Sequence, residues 1–107
     1  MTTTDTLKDL YAVLLDRKHA DAQTSYVSSL YQKGTVKIVN KVLEEAVETG
    51  VEALSDNKEK LASESADLLF HLMVLWAHKG IKPEDVIAVL EKRSGTSGHT
   101  EKMQRQP

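Results

Sequence analysis

Apolar residues recur along this chain at steps of three and four, which is the spacing of one face of an α-helix. No segment shows the alternating apolar and polar residues of a half-buried β-strand. Gly34, Gly80 and Pro83 mark boundaries, since glycine suits the end of a helix and proline the first turn of the next one. The pattern predicts an all-α fold of four to five helices, with segments at about 5–18, 25–33, 35–54, 58–79 and 83–93.

The two longest predicted helices, 35–54 and 58–79, are joined by a short polar turn and should form a central antiparallel hairpin. Asp56, followed three residues later by Glu59, predicts a capping box at the start of the second one. That helix is apolar in almost every direction and is therefore expected to be buried. One small chain has few neighbours to cover it, so we expect a second copy to complete the core. One narrow polar line runs through its apolar surface: Glu64, Asp67, His71 and His78.

The helix 35–54 gathers apolar residues on one side and four glutamates on the other: Glu44, Glu45, Glu48 and Glu52. Such a charged side usually faces water. Mirroring the hairpin about its turn, however, puts Glu48 opposite Glu64. It also puts Glu45 opposite Asp67. Converging carboxylates cannot all stay ionised without a cation, and their oxygens favour Mg²⁺ or Mn²⁺. The pattern thus predicts a metal site with four ligands: Glu45, Glu48, Glu64 and Asp67.

Glu44 and His71 adjoin this predicted site without a settled role. Glu44 lies four residues before Glu48 and could be a further ligand, an outer acid, or the base that activates water. His71 continues the polar line of its helix, four residues after Asp67. For this residue a hydrogen-bonded histidine at the edge of the core is favoured over a metal ligand, and it is also a candidate substrate-binding residue.

Basic and hydroxyl side chains lie on the N-terminal side of the acids. Lys33, Lys37 and Lys41 recur every four residues on the face that carries the glutamates. They could form helix salt bridges or hold the phosphates of a nucleotide, and the spacing favours neither. Ser25 and Tyr26 open the short helix, where capping is slightly favoured over contact with a ligand.

Composition narrows the classes of function. The 107 residues suit one domain, predicted over 1–93 and followed by a polar, mobile tail over 94–107. A net charge of −2 argues against nucleic-acid binding. The longest apolar run, 68–77, is too short to cross a bilayer, so no membrane partner is expected. The absence of cysteine and of a signal-peptide pattern at the start predicts a cytoplasmic location.

Two acidic motifs carry a family resemblance. "EEAVE" (44–48) and, fifteen residues later, "ESAD" (64–67) resemble the Glu-Glu-x-x-Glu … Glu-x-x-Asp signature of the all-α nucleotide pyrophosphohydrolases. The flanking stretches "SYVSSLYQKGTVKIVNKVLEEAVET" and "ESADLLFHLMVLWAHKGIKPEDVIAVLEKR" resemble, more narrowly, the phosphoribosyl-ATP pyrophosphohydrolases. This resemblance covers about residues 7–93.

The resemblance implies an Mg²⁺-dependent homodimeric enzyme that uses helices from both chains. The reaction it implies is hydrolysis of the α–β phosphoanhydride of 1-(5-phosphoribosyl)-ATP to 1-(5-phosphoribosyl)-AMP and pyrophosphate, the second step of histidine biosynthesis. The catalytic acids it implies are Glu44, Glu45, Glu48, Glu64 and Asp67. The chain departs from the family pattern at Val27, where threonine is expected, and at Phe70, where tyrosine is usual.

Two other functions fit parts of the pattern. A pyrophosphohydrolase that removes damaged or surplus (deoxy)nucleoside triphosphates would use the same acids, although the flanking stretches argue against it. A helical dimerisation module with solvated surface acids would need no metal at all. A panel of nucleotide substrates, tested with and without metal, separates these possibilities.

Overall fold

The computed structural model describes residues 2–94, which form five α-helices and one 3₁₀ turn at Arg17–His19. The helices are α1 (Thr3–Asp16), α2 (Tyr26–Lys33), α3 (Thr35–Leu54), α4 (Lys58–Lys79) and α5 (Pro83–Arg93). The prediction of an all-α fold is confirmed. The predicted mobile tail lies, apart from Ser94, outside the described residues. None of the described helices is long and apolar enough to span a bilayer.

The capping side chains of α1 and α4 were not the ones expected from the sequence, although α4 begins at the predicted residue, Lys58. At α1 the Thr2 hydroxyl accepts a hydrogen bond from the Asp5 N–H (3.0 Å), which begins the helix two residues early. At α4 the cap is Asn57, whose side-chain oxygen accepts from the Lys60 N–H at 3.1 Å. The capping box predicted at Asp56 is wrong, because this residue has a φ of 60° within the turn, whereas a cap residue is normally extended.

Helices α3 and α4 pack against each other as the central hairpin. Helix α1 packs against α4, and α2 packs against α3. The core has five large, fully buried side chains at its centre: Leu14, Leu30, Ile38, Met73 and Val74. Two tyrosine hydroxyls fasten the outer helices to this core. Tyr31 donates to the Leu14 carbonyl and Tyr11 donates to the Ile81 carbonyl, each at 2.7 Å. The first bond joins α2 to α1, and the second joins α1 to the link between α4 and α5.

Helix α3 turns its acidic edge, rather than its apolar stripe, toward the rest of the chain. Of its twenty residues, only Ile38 and Glu45 are buried. The stripe of valine and leucine faces outward, with Val47 66% and Leu54 91% exposed. The other large side chains of this stripe are also exposed: Val36, Val39, Leu43 and Val51. Within the described chain, therefore, the apolar side of α3 has little to pack against.

Candidate active site

Three glutamates converge where α3 faces α4. Glu45 and Glu48 stand one turn apart on α3, and Glu64 projects from α4. One carboxylate oxygen from each of the three lies within 4.8 Å of the other two. The hairpin register predicts this meeting of Glu48 and Glu64. We refer to Glu45, Glu48 and Glu64 as the carboxylate group.

Oxygen atoms of the carboxylate group are buried without partners. Glu45 is only 7% exposed, and its Oε2 accepts no hydrogen bond within residues 2–94. The same holds for Glu64 Oε2. Burying a carboxylate oxygen without a donor is costly, and a cation bound between the acids would offset that cost. The three carboxylates together form the all-oxygen donor set that hard divalent ions prefer, so the residues fit Mg²⁺ or Mn²⁺.

The carboxylate group also perturbs its own protonation. The pKa of Glu64 is raised from 4.5 to about 7. The largest cause is the neighbouring Glu48 carboxylate, which favours the protonated form of Glu64; burial follows, and then Glu45. About half of the Glu64 carboxyls therefore carry a proton at pH 7 when no cation is bound. A divalent ion would take the place of that proton.

Asp67 and Glu44, the other two acids of the predicted site, lie outside the carboxylate group. Asp67 is exposed, one turn farther along α4. Its charge still acts on Tyr26, whose pKa is raised first by burial and then by nearby acids including Asp67. Glu44 is exposed and accepts a hydrogen bond from Lys41 Nζ at 3.2 Å. That bond is the main reason why the pKa of Lys41 is raised.

His71 is buried and uses both ring nitrogens. Its Nδ1 lies 2.8 Å from the Asp67 carbonyl oxygen, which can only accept, so Nδ1 carries the proton. In the neutral ring Nε2 then accepts from the Tyr26 hydroxyl, 2.9 Å away. His71 is thus a hydrogen-bonded histidine at the edge of the core, and it holds the Tyr26 ring beside the acids.

The remaining predicted residues divide by their contacts. The Ser25 hydroxyl caps α2, since it accepts from the Ser28 N–H at 3.2 Å. Lys33 and Lys37 are exposed and form no salt bridge within residues 2–94. Only Lys41, of the three lysines, pairs with an acid there.

A cavity of about 350 Å³, which we call the side cavity, opens between the 3₁₀ turn, the start of α2 and α4. Its principal lining residues are Arg17, Thr24, Ser25, Tyr26, Val27 and Phe70. Both departures from the family pattern, Val27 and Phe70, therefore line the same space. Arg17 was not among the residues predicted from the sequence, which placed it inside the first predicted helix, 5–18. No local motif singled it out, since Thr24 and Ser25, which share the cavity with it, lie seven and eight residues away.

Comparison with known proteins decides the family. Residues 7–94 match the family described as phosphoribosyl-ATP pyrophosphohydrolase. The chain belongs to this family. The resemblance carried by the acidic motifs, and the hydrolase class that it implies, are confirmed.

Several relatives of the family match over nearly their full length. A protein of Azospirillum brasilense is 54% identical over 99 residues, which cover 92% of this chain and 89% of the relative. A protein of Paramagnetospirillum magneticum is 50% identical, with 92% and 91% covered. A third, from Zymomonas mobilis, is 48% identical, with 94% of each chain covered. All three are named phosphoribosyl-ATP pyrophosphatase.

Proposed function

We propose that this chain hydrolyses the α–β phosphoanhydride of 1-(5-phosphoribosyl)-ATP to 1-(5-phosphoribosyl)-AMP and pyrophosphate, the second step of histidine biosynthesis. The observation that carries the proposal is the carboxylate group, with two buried, unpartnered oxygens, in a chain of this family. A substrate with three linked phosphates brings strong negative charge to such a site. Acids alone would repel it, so the proposal includes a divalent cation.

Glu45, Glu48 and Glu64 would hold Mg²⁺, or Mn²⁺ in its place, and we propose Asp67 as a further ligand. When bound, the ion would neutralise the phosphate charge and the charge that develops on the leaving pyrophosphate. The exposed Glu44 is our candidate for accepting the proton of the attacking water, since it lies one turn from Glu48 on α3. Lys41, hydrogen-bonded to Glu44, places a positive charge beside the approaching phosphates.

We further propose that the enzyme is a homodimer whose contact is the apolar stripe of α3. The stripe runs along most of the helix and is exposed, which is unusual for a row of apolar side chains of this length in a monomer. A second copy would bring the same stripe against it in a self-complementary contact. A cytoplasmic location is part of the same proposal.

The experiment that tests the activity measures pyrophosphate release from phosphoribosyl-ATP by the purified protein, with Mg²⁺ and with EDTA. ATP and deoxynucleoside triphosphates are assayed in parallel. Mg²⁺-dependent turnover of phosphoribosyl-ATP alone supports the proposal. Turnover of deoxynucleotides would indicate the nucleotide-cleansing alternative, and no hydrolysis of any substrate would favour a dimerisation module.

Matched variants test the site. Glu45→Gln and Asp67→Asn should each lower turnover by at least about 100-fold while the circular dichroism spectrum stays unchanged. Glu59→Gln removes the same charge from the exposed first turn of α4 and serves as the control. Full activity of the two site variants would refute the assignment of the acids.

A further inference from the structure

The side cavity combines the chemistry of a sugar-phosphate site. Arg17 is the one cation among its lining residues, and its guanidinium forms no ion pair or hydrogen bond within residues 2–94. Ser25 accepts a hydrogen bond from a backbone N–H, which leaves its own O–H to donate. Guanidinium and hydroxyl donors are the groups that proteins use to bind phosphate and ribose oxygens.

Tyr26 connects this cavity to the acids, since it lines the cavity and lies close enough to Glu45 and Asp67 for their charges to add to the effect of burial in raising its pKa. Tyr26 and Phe70 line the cavity, and both rings lie edge-on to His71, with centroids 5.9 Å and 5.3 Å from its ring. His71 in turn bonds the backbone of Asp67. A ligand that extends past these rings would therefore have the acids at one end and Arg17 at the other.

We propose that the side cavity binds the phosphorylated ribose that distinguishes phosphoribosyl-ATP from ATP, with Arg17 as its phosphate ligand and so as a specificity-determining residue. The inference rests on the proposed function, because that substrate carries anions at two ends. The triphosphate belongs with the carboxylate group and its cation. The second phosphate needs a separate positive charge, and Lys33 and Lys37 do not line this cavity.

The test uses ribose 5-phosphate as the probe and ribose as its uncharged counterpart. Binding is measured by calorimetry or by protection against thermal unfolding, without metal. Ribose 5-phosphate should bind the wild-type protein at least about tenfold more tightly than ribose, and Arg17→Gln should remove that difference. Arg17→Lys, which keeps the charge but loses the two-pronged contact, should give an intermediate affinity.

Lys18→Gln is the matched control, since Lys18 lies next in the same 3₁₀ turn but stands over the Tyr31 ring at 5.7 Å. It should bind ribose 5-phosphate as the wild type does. Equal losses in Lys18→Gln and Arg17→Gln would indicate general electrostatic attraction and overturn the proposal. Equal loss of adenosine and ribose 5-phosphate binding in Arg17→Gln would show that Arg17 does not act on the phosphate, and would also overturn it.

Amide chemical shifts of the wild-type protein give a second measurement that needs no variant. Ribose 5-phosphate should shift the resonances of Arg17, Thr24 and Ser25. Shifts confined to Lys33 and Lys37, or no shifts at all, would refute the assignment. These readouts do not depend on turnover. If the protein binds the probe as expected but does not hydrolyse phosphoribosyl-ATP, the proposed reaction fails while the phosphate site stands.

Discussion

Metal affinity should fall steeply on acidification from pH 7 to pH 5, because the ion must displace a proton from Glu64. With a pKa of about 7, half of the Glu64 carboxyls are ionised at pH 7 and about one in a hundred at pH 5. Metal binding needs the ionised form, so the apparent affinity should drop about 50-fold over these two units. A carboxyl at the ordinary value of 4.5 would produce a loss of only about 1.3-fold.

The raised pKa of Glu64 also makes the stability of the metal-free protein depend on pH. A raised pKa means that the folded state binds this proton more tightly than the unfolded chain does. Glu64 therefore contributes stability that is fully present below about pH 4.5 and is lost as the pH rises through about 7. Bound metal should restore that stability at neutral pH.

In the assay, metal-free protein is titrated with Mn²⁺ at several pH values, and the concentration of free Mn²⁺ is measured by electron paramagnetic resonance. Proton release is followed alongside, and should be about half a proton per ion at pH 7 and about 0.9 at pH 6. Glu64→Gln should bind more weakly and lose the steep dependence on pH, whereas Glu59→Gln should keep it. A wild-type affinity that changes less than about twofold, or an unchanged slope in Glu64→Gln, would refute the reasoning.

Three further perturbations test the fold. Gly34→Ala should lower the free energy of unfolding by about 1–3 kcal/mol in a denaturant titration, because φ 91° with ψ −177° is a glycine-only conformation. Gly80→Ala should lower it by about 1 kcal/mol, because Gly80 lies in the milder left-handed region. Leu14→Ala should cost about 2–5 kcal/mol at fixed protein concentration, and Leu15→Ala, 38% exposed, less than half as much; equal losses would contradict the core assignment. Val47→Asp should dissociate the proposed dimer in sedimentation experiments, and an unchanged mass would exclude this stripe as the contact.

The helices could be predicted from the sequence because their signals are local. Periodicity and the glycines at 34 and 80 located α2, α3 and α4 closely. The cap of α4 was missed by one residue, since Asp56 and Asn57 are both good caps. The choice between them depends on the backbone of the turn, which places Asp56 in the left-handed region.

The candidate site could be predicted only as far as helix spacing reaches. Mirroring the hairpin about its turn matches residues at equal height on the two helices, and this correctly predicts that Glu48 and Glu64 meet. It does not place Asp67, because facing heights along two helices do not fix the direction in which an exposed side chain points, and Asp67 lies outside the carboxylate group. Arg17 could not be found in this way, because the side cavity depends on how the 3₁₀ turn and α2 pack on α4.

The two faces of α3 connect the proposed dimer to the proposed chemistry. A helix is rigid about its axis, so the rotation that buries Glu45 is the rotation that turns Val47 and Val51 outward. Within one chain this orientation is unfavourable twice, since it exposes apolar side chains and buries a carboxylate. A partner on the stripe would offset the cost of the exposed apolar side chains, and a cation between the acids would offset the cost of the buried carboxylate. Because both act on the same rotation of α3, metal binding and dimerisation should stabilise each other.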